Sequence, residues 1–149
     1  MRVIALAAVL FLLLASASWG SAGRASGAAS YGGGQGRVSS VSCAAPGRCA
    51  AGGYYTDGGG NAHAFLVDER NGVWGAAIEV PGTAGLNGGG QAGVNSVSCA
   101  AAGKCAAGGY YTDRHGNAQA FVVVETNGHW GTAGSLGQVT HHDRSNSKG

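Results

Sequence analysis

Ser40-Val41-Ser42-Cys43-Ala44-Ala45-Pro46-Gly47-Arg48-Cys49-Ala50-Ala51-Gly52-Gly53-Tyr54-Tyr55-Thr56-Asp57 recurs almost letter for letter from Ser96 to Asp113. Sliding the chain by 56 residues superimposes Ser40 to Ala77 on Ser96 to Ala133 with 28 of 38 positions identical. Upstream, Gly32-Gly33-Gly34-Gln35 falls on Gly88-Gly89-Gly90-Gln91, so the frame opens near Gly32 and defines one unit at 32–87 and a second at 88–140. A period in this range marks solenoids, arrays and propellers, in which one supersecondary unit cannot bury its apolar face alone.

The local signals within a unit are short strands broken by turns. The first unit reads as strands at Val38 to Cys43, Cys49 to Thr56, Ala62 to Asp68 and Val73 to Val80, and the second as strands starting at Val94, Cys105, Ala118 and His129. Asn71-Gly72 and Asn127-Gly128, each flanked by apolar residues, predict two-residue hairpin turns, because both central positions of a type I′ turn need φ > 0. The expected fold is all-β: two blade-like four-stranded antiparallel sheets, forming a partial or oligomer-completed β-propeller, with a two-sheet sandwich as the alternative. Trp74 and Trp130, Phe65 and Phe121, and Val41 and Val97 are expected to supply the larger core contacts, with alanine and glycine in the second strand letting sheets approach closely.

The pattern S-V-S-C-A-x-x-G-x-C-A-A-G-G-x-Y-x-D, followed by A-F-V-x-E-x-N-G-x-W-G, resembles secreted tandem-repeat proteins of the actinobacterial type over essentially Gly32 to Gly137. The resemblance implies propeller-blade-like units and carries no activity with it. More loosely the units are similar to kelch and Asp-box repeats, but Gly52-Gly53 runs directly into Tyr54 and the Thr56-Asp57 loop lacks the Asp-box spacing. A closed propeller takes at least four blades, and this chain has two.

Cys43 and Cys49, and Cys99 and Cys105, sit at the two ends of tight hairpins. Of the three pairings, the one within each unit is therefore expected, at roughly 2 kcal/mol per small loop on the chain-entropy estimate. A four-cysteine zinc site is the alternative, but such sites space their ligands more closely.

Met1-Arg2, the apolar run Val3 to Ala15 and small-residue sites at Ala15-Ser16-Ala17 and Gly20-Ser21-Ala22 read as a secretory signal peptide over 1–22, too short in its apolar run for a stable membrane anchor. A linker at 23–31 and a polar disordered tail at 141–149, containing His141-His142, complete the expected organisation, and the localisation expected is extracellular. Within the units, Arg37, Arg48, Arg70, Lys104 and Arg114 stand against Asp57, Asp68, Glu69, Glu79, Asp113 and Glu125, which leaves no electrostatic footprint for nucleic acid.

Tyr54, Tyr55, Tyr110 and Tyr111 are the candidate ligand-binding residues. Neighbours on a strand point to opposite faces, so one ring of each pair enters the core and the other can stack on a sugar or peptide. Asp57 and Asn61, with Asp113 and Asn117, bracket loops that could offer oxygens to Ca²⁺, but Asp, Gly and Asn are what tight turns want. His63, His115 and His129 have no histidine counterparts in the other unit, which rules out a repeated histidine site. Gly88-x-Gly90-x-x-Gly93 runs into a strand and not a helix, so it is no dinucleotide fingerprint.

The expectation is a non-catalytic module binding an extracellular glycan or protein, with no cofactor or metal. The alternatives are a hydrolase of propeller type using Glu69, Glu79 and Glu125, and a structural fragment of a longer array. The unit count also suggests a homo-oligomer that completes a ring.

Overall fold

The computed structural model describes residues 35–136. The expectations for the signal peptide, the linker and the tail with His141-His142 lie outside the described residues.

Two antiparallel sheets make up the architecture, neither closed into a barrel. In the first, β1 (Gly36–Ala45), β2 (Arg48–Thr56) and β3 (Ala62–Arg70) lie side by side, and β4 (Val73–Trp74) and β5 (Ile78–Glu79) share the outer edge of β3. A connector carrying the four-residue helix α1 (Thr83–Leu86) leads to the second sheet. There β6 (Ala92–Ala101), β7 (Lys104–Thr112) and β8 (Ala118–Thr126) repeat the order, with β9 (His129–Trp130) and β10 (Gly134–Ser135) on the edge of β8. No helix among the described residues is long and apolar enough to cross a membrane.

The registers of the two sheets coincide after the 56-residue shift. Val41 faces Ala51 as Val97 faces Ala107, and Cys43 faces Cys49 as Cys99 faces Cys105. Direct opposition across a ladder brings the sulfurs within bonding reach, and both disulfides form within their units. Asn71 and Gly72 have φ of 54° and 78°, and Asn127 and Gly128 repeat these values, as a type I′ turn requires.

The fourth strand is not the continuous element expected from Val73 to Val80. Trp74 pairs with Glu69 and Ile78 with Leu66, so three residues, Gly75, Ala76 and Ala77, oppose two on β3. This two-against-three mismatch interrupts the ladder. A second irregularity lies in the first strand, where the register shifts between Val38 and Ser40 and again between Val94 and Ser96. The extra residue puts Val94 and Val97 on the same face, and both are buried.

Each sheet thus has two faces of different character. On one, Ser40 and Ser42 of β1, Ala50 and Gly52 of β2, and Ala64 and Leu66 of β3 form a shallow surface of mostly small side chains. Strand β6 lies across β1, β2 and β3 on this surface. Ala50, Ala64 and Leu66 meet Val94, Val97, Ala107, Phe121 and Val123 in the larger core cluster. A methyl group at Gly52 would lie 2.6 Å from Val94 Cγ1, so glycine is what admits the valine. The hydroxyls of Ser40 and Ser42 accept the Val97 and Cys99 N–H groups at 3.0 Å, which pins β6 in register. The opposite face of the first sheet holds a smaller cluster of Ala51, Tyr55, Phe65, Val67 and Ala77, with Trp74 against it.

Phe65, Phe121 and Val97 take the core places expected of them, and the two tryptophans are half-buried at the margin. Val41 does not: it is exposed. Val97 is sealed because β6 rests on the first sheet, whereas no sheet among the described residues lies beneath β1.

Candidate functional site

The end of the molecule where the cysteine-linked turns meet carries the densest polar chemistry. Arg48 opens β2 after the turn at Pro46-Gly47, and Asp68-Glu69-Arg70 ends β3 just before the Asn71-Gly72 hairpin. Across the unit boundary lie the turn Ala101-Ala102-Gly103, Cys105, Glu125 and the Asn127-Gly128 hairpin. Together these groups line a cleft of about 210 Å³. The cleft exists because the two sheets stack face to face while their hairpins project past the contact.

Two hydrogen bonds join the sheets here. Trp130 Nε1 donates to Asp68 Oδ1 at 3.1 Å, and Arg70 Nη2 donates to the Gly128 carbonyl at 2.6 Å. The Arg70 guanidinium also stands 3.7 Å from Asp68 Oδ2. Glu69 and Glu125 are the buried charged residues among those described. Burial pushes the Glu125 carboxyl up from its ordinary value, and the negative charge of Asp68 adds to this. Arg70, a backbone hydrogen bond from Cys105, and His129 oppose the shift. The cleft therefore combines two guanidinium donors with the carboxyl groups of Asp68 and Glu125, the second of which is held closer to neutrality. Such a lining can hydrogen-bond hydroxyl and amide groups in both directions.

A second polar cluster sits at the far end of the first sheet. His63 Nε2 lies 3.0 Å from Asp57 Oδ2 and His63 Nδ1 lies 3.2 Å from Glu79 Oε1, while the imidazole stacks on Tyr55 with ring centres 5.0 Å apart. Burial disfavours the imidazolium, but the two carboxylates outweigh it and raise the His63 pKa. The hydrogen bond from His63, helped by N–H groups of Asn61 and Gly59, holds the Asp57 carboxyl well below the usual carboxylate range. In the second unit Gln119 replaces His63 and reaches Asp113 Oδ2 at 3.3 Å.

The loop carboxylates act as turn formers. Asp57 Oδ1 accepts the N–H groups of Gly59 and Asn61 at 2.8 and 2.9 Å, and Asp113 Oδ1 accepts those of His115 and Asn117 at the same distances. The backbone N–H of Asn117 is the chief reason the Asp113 pKa is lowered.

The four candidate tyrosines separate into two pairs. Tyr55 and Tyr111 are buried in the cores of their sheets and cannot form a ligand platform, which narrows the sequence expectation to Tyr54 and Tyr110. These two are half-buried and converge near Gly93, where an added methyl group would lie 3.2 Å from Tyr110 Cε1 and 3.6 Å from Tyr54 Cβ. They occupy the opposite end of the strands from the cleft, so the platform and the cleft are separate places. Of the hydrolase carboxylates, Glu125 lies in the cleft, Glu69 follows Asp68 at the cleft's edge on the alternate face of β3, and Glu79 is engaged with His63.

Arg48, Asp68 and Arg70 had no role in the sequence reading. A signal for two of them was present: Asp68 and Arg70 are replaced by Val124 and Thr126 in the second unit, and a position that differs between near-identical units is a candidate for a contact made by one unit only. No known family model matches the chain, and no curated protein does.

Proposed function

We propose that the protein is a secreted, non-catalytic binding module that takes an extracellular glycan in the cleft between its two sheets. The observation carrying this reading is the cleft itself, lined by Arg48 and Arg70 with Asp68 and Glu125 in a space large enough for a sugar ring and its hydroxyls. The secretory leader expected from the sequence and the two disulfides support the extracellular setting. A glycan array followed by calorimetry tests the reading. Arg70→Ala is expected to weaken a glycan hit by about tenfold or more, and Tyr54→Ala and Tyr110→Ala to leave it unchanged. A glycan lost on tyrosine substitution and kept on Arg70→Ala would move the site to the other end of the sheets. Binding to a protein and no glycan would replace the ligand class.

A second reading, a glycoside-cleaving or other hydrolase, is favoured by one observation. The raised carboxyl of Glu125 beside Asp68 is the kind of environment that supports a general acid. Glu125→Gln separates the two, because it abolishes turnover in a hydrolase and leaves a binding module able to hold its ligand.

A further inference from the structure

We infer that the outer face of the second sheet is the seat for strand β1 of a second copy of this chain, in the register that β6 takes on the first sheet. The seat is already seen in use once. On the first sheet, Ser40, Ser42, Ala50, Gly52, Ala64 and Leu66 receive β6, and the contact is sealed by Val94 entering the space left by Gly52. The corresponding residues of the second sheet are Ser96, Ser98, Ala106, Gly108, Ala120 and Val122, five of the six identical.

This second seat stands open. Val122 and its neighbour Val124 are 46% and 59% exposed, whereas Leu66 is fully buried. Among the described residues, a methyl group at Gly108 would meet nothing nearer than the Phe121 carbonyl at 3.8 Å, so none of them fills the notch that Val94 fills on the first sheet. Ser96 and Ser98 are exposed, and among the described residues nothing donates to their hydroxyls. The replacement of Asp68 by Val124 makes this face more apolar, which favours covering it.

The matching knob is at the other end of the chain. β1 is the counterpart of β6, and Val38 and Val41, which correspond to the buried Val94 and Val97, are 51% and 53% exposed. The shared register turns the N–H groups of Val41 and Cys43 toward the free edge of β1, as it turns those of Val97 and Cys99 toward Ser40 and Ser42. In the rest of that face Ala51, Phe65 and Val67 are buried within the first sheet's own cluster, so the docking element is β1. The contact joins two different surfaces, so it is heterologous and propagates head to tail, into a ring if the rotation closes and into a filament if it does not.

Two variants isolate the two halves. Val38→Asp spoils the knob, and Gly108→Val fills the notch; Val122→Lys is a second way to spoil the seat at an exposed position. Light scattering and analytical ultracentrifugation of the secreted chain are expected to show concentration-dependent association that each variant abolishes, with circular dichroism unchanged. A mixture of Val38→Asp with Gly108→Val, or with Val122→Lys, should restore association as a capped one-to-one dimer, since one chain keeps its seat and the other its knob. A wild-type chain that is monomeric at every accessible concentration overturns the proposal. So does association that survives Val38→Asp, which would indicate seat-to-seat pairing, or a mixture that fails to form the dimer.

Discussion

Leu66 and Val122 occupy the same place in two sheets of the same register, yet one is sealed from water and the other stands nearly half exposed. The same holds for Ala50 against Ala106 and Ala64 against Ala120. Local sequence does not account for the difference, because the flanking residues are almost all shared. What differs is position in the stack: the first sheet has β6 lying on it, and the second has no described neighbour on the corresponding face. In the reverse direction Val97 is buried and Val41 is not. A unit of this kind carries a knob on one face and a seat on the other, and stability is a property of the junction between units.

The junction is tested by making the same substitution on both sides of the comparison. Leu66→Ala is expected to cost about 2–5 kcal/mol, because it opens a cavity in a packed contact, while Val122→Ala should change stability by less than about 0.5 kcal/mol. Gly52→Val should likewise destabilise by about 1–3 kcal/mol or more through overpacking against Val94, and Gly108→Val should be close to neutral in the monomer. Equal effects in the two units, measured by urea denaturation, would refute the asymmetry.

The disulfides provide a smaller and more even contrast. Replacing both cysteines of either pair by serine should cost roughly 2 kcal/mol from the loop constraint alone. The Cys99–Cys105 pair should cost the more of the two, because Cys105 lies in the core between the sheets and Cys43 is exposed. Thermal denaturation of the two double variants decides the order.

The smallest expected effect separates the polar clusters. The folded-state pKa of His63 is raised above its ordinary value near 6.5, so its contribution to stability is fully present below about pH 6.5 and disappears as pH rises through the folded-state value. His63→Gln, which installs the residue of the second unit, should flatten this dependence. Gln119→His should not create it in full, because Ser135 stands where the first unit has Glu79. A His63→Gln variant that keeps the wild-type pH profile would show that the imidazole does not carry the effect.

Much of the first level of structure was legible in the residues. Asn71-Gly72 and Asn127-Gly128 announce their turns because few other dipeptides accept two positive φ values in succession. The spacing of the cysteines implies a hairpin closed on itself, since five intervening residues leave few other ways to bring the sulfurs together. The break in the fourth strand, at Gly75 to Ala77, was hidden because alanine and glycine carry little alternation to interrupt. The cleft was hidden for another reason: Arg48 and Asp68 are contributed by one sheet and Glu125 by the other, and their meeting depends on how the sheets stack. Alternation along a strand identifies that one ring of each pair is buried, but the crowding of Tyr54 and Tyr110 around Gly93 is set by neighbouring strands.

By itself, then, the sequence determined the elements that depend on contacts close along the chain: three long strands per unit, their hairpin turns and their disulfides. Only the tertiary structure decided that β6 seats on the first sheet, that Val94 fills the notch at Gly52, and that Val122, Val124 and Val38 are left in water. The physical reason is that burial of a sheet face is a property of two sheets. A sequence repeated almost unchanged specifies the same face twice, and the stack determines which of the two is covered.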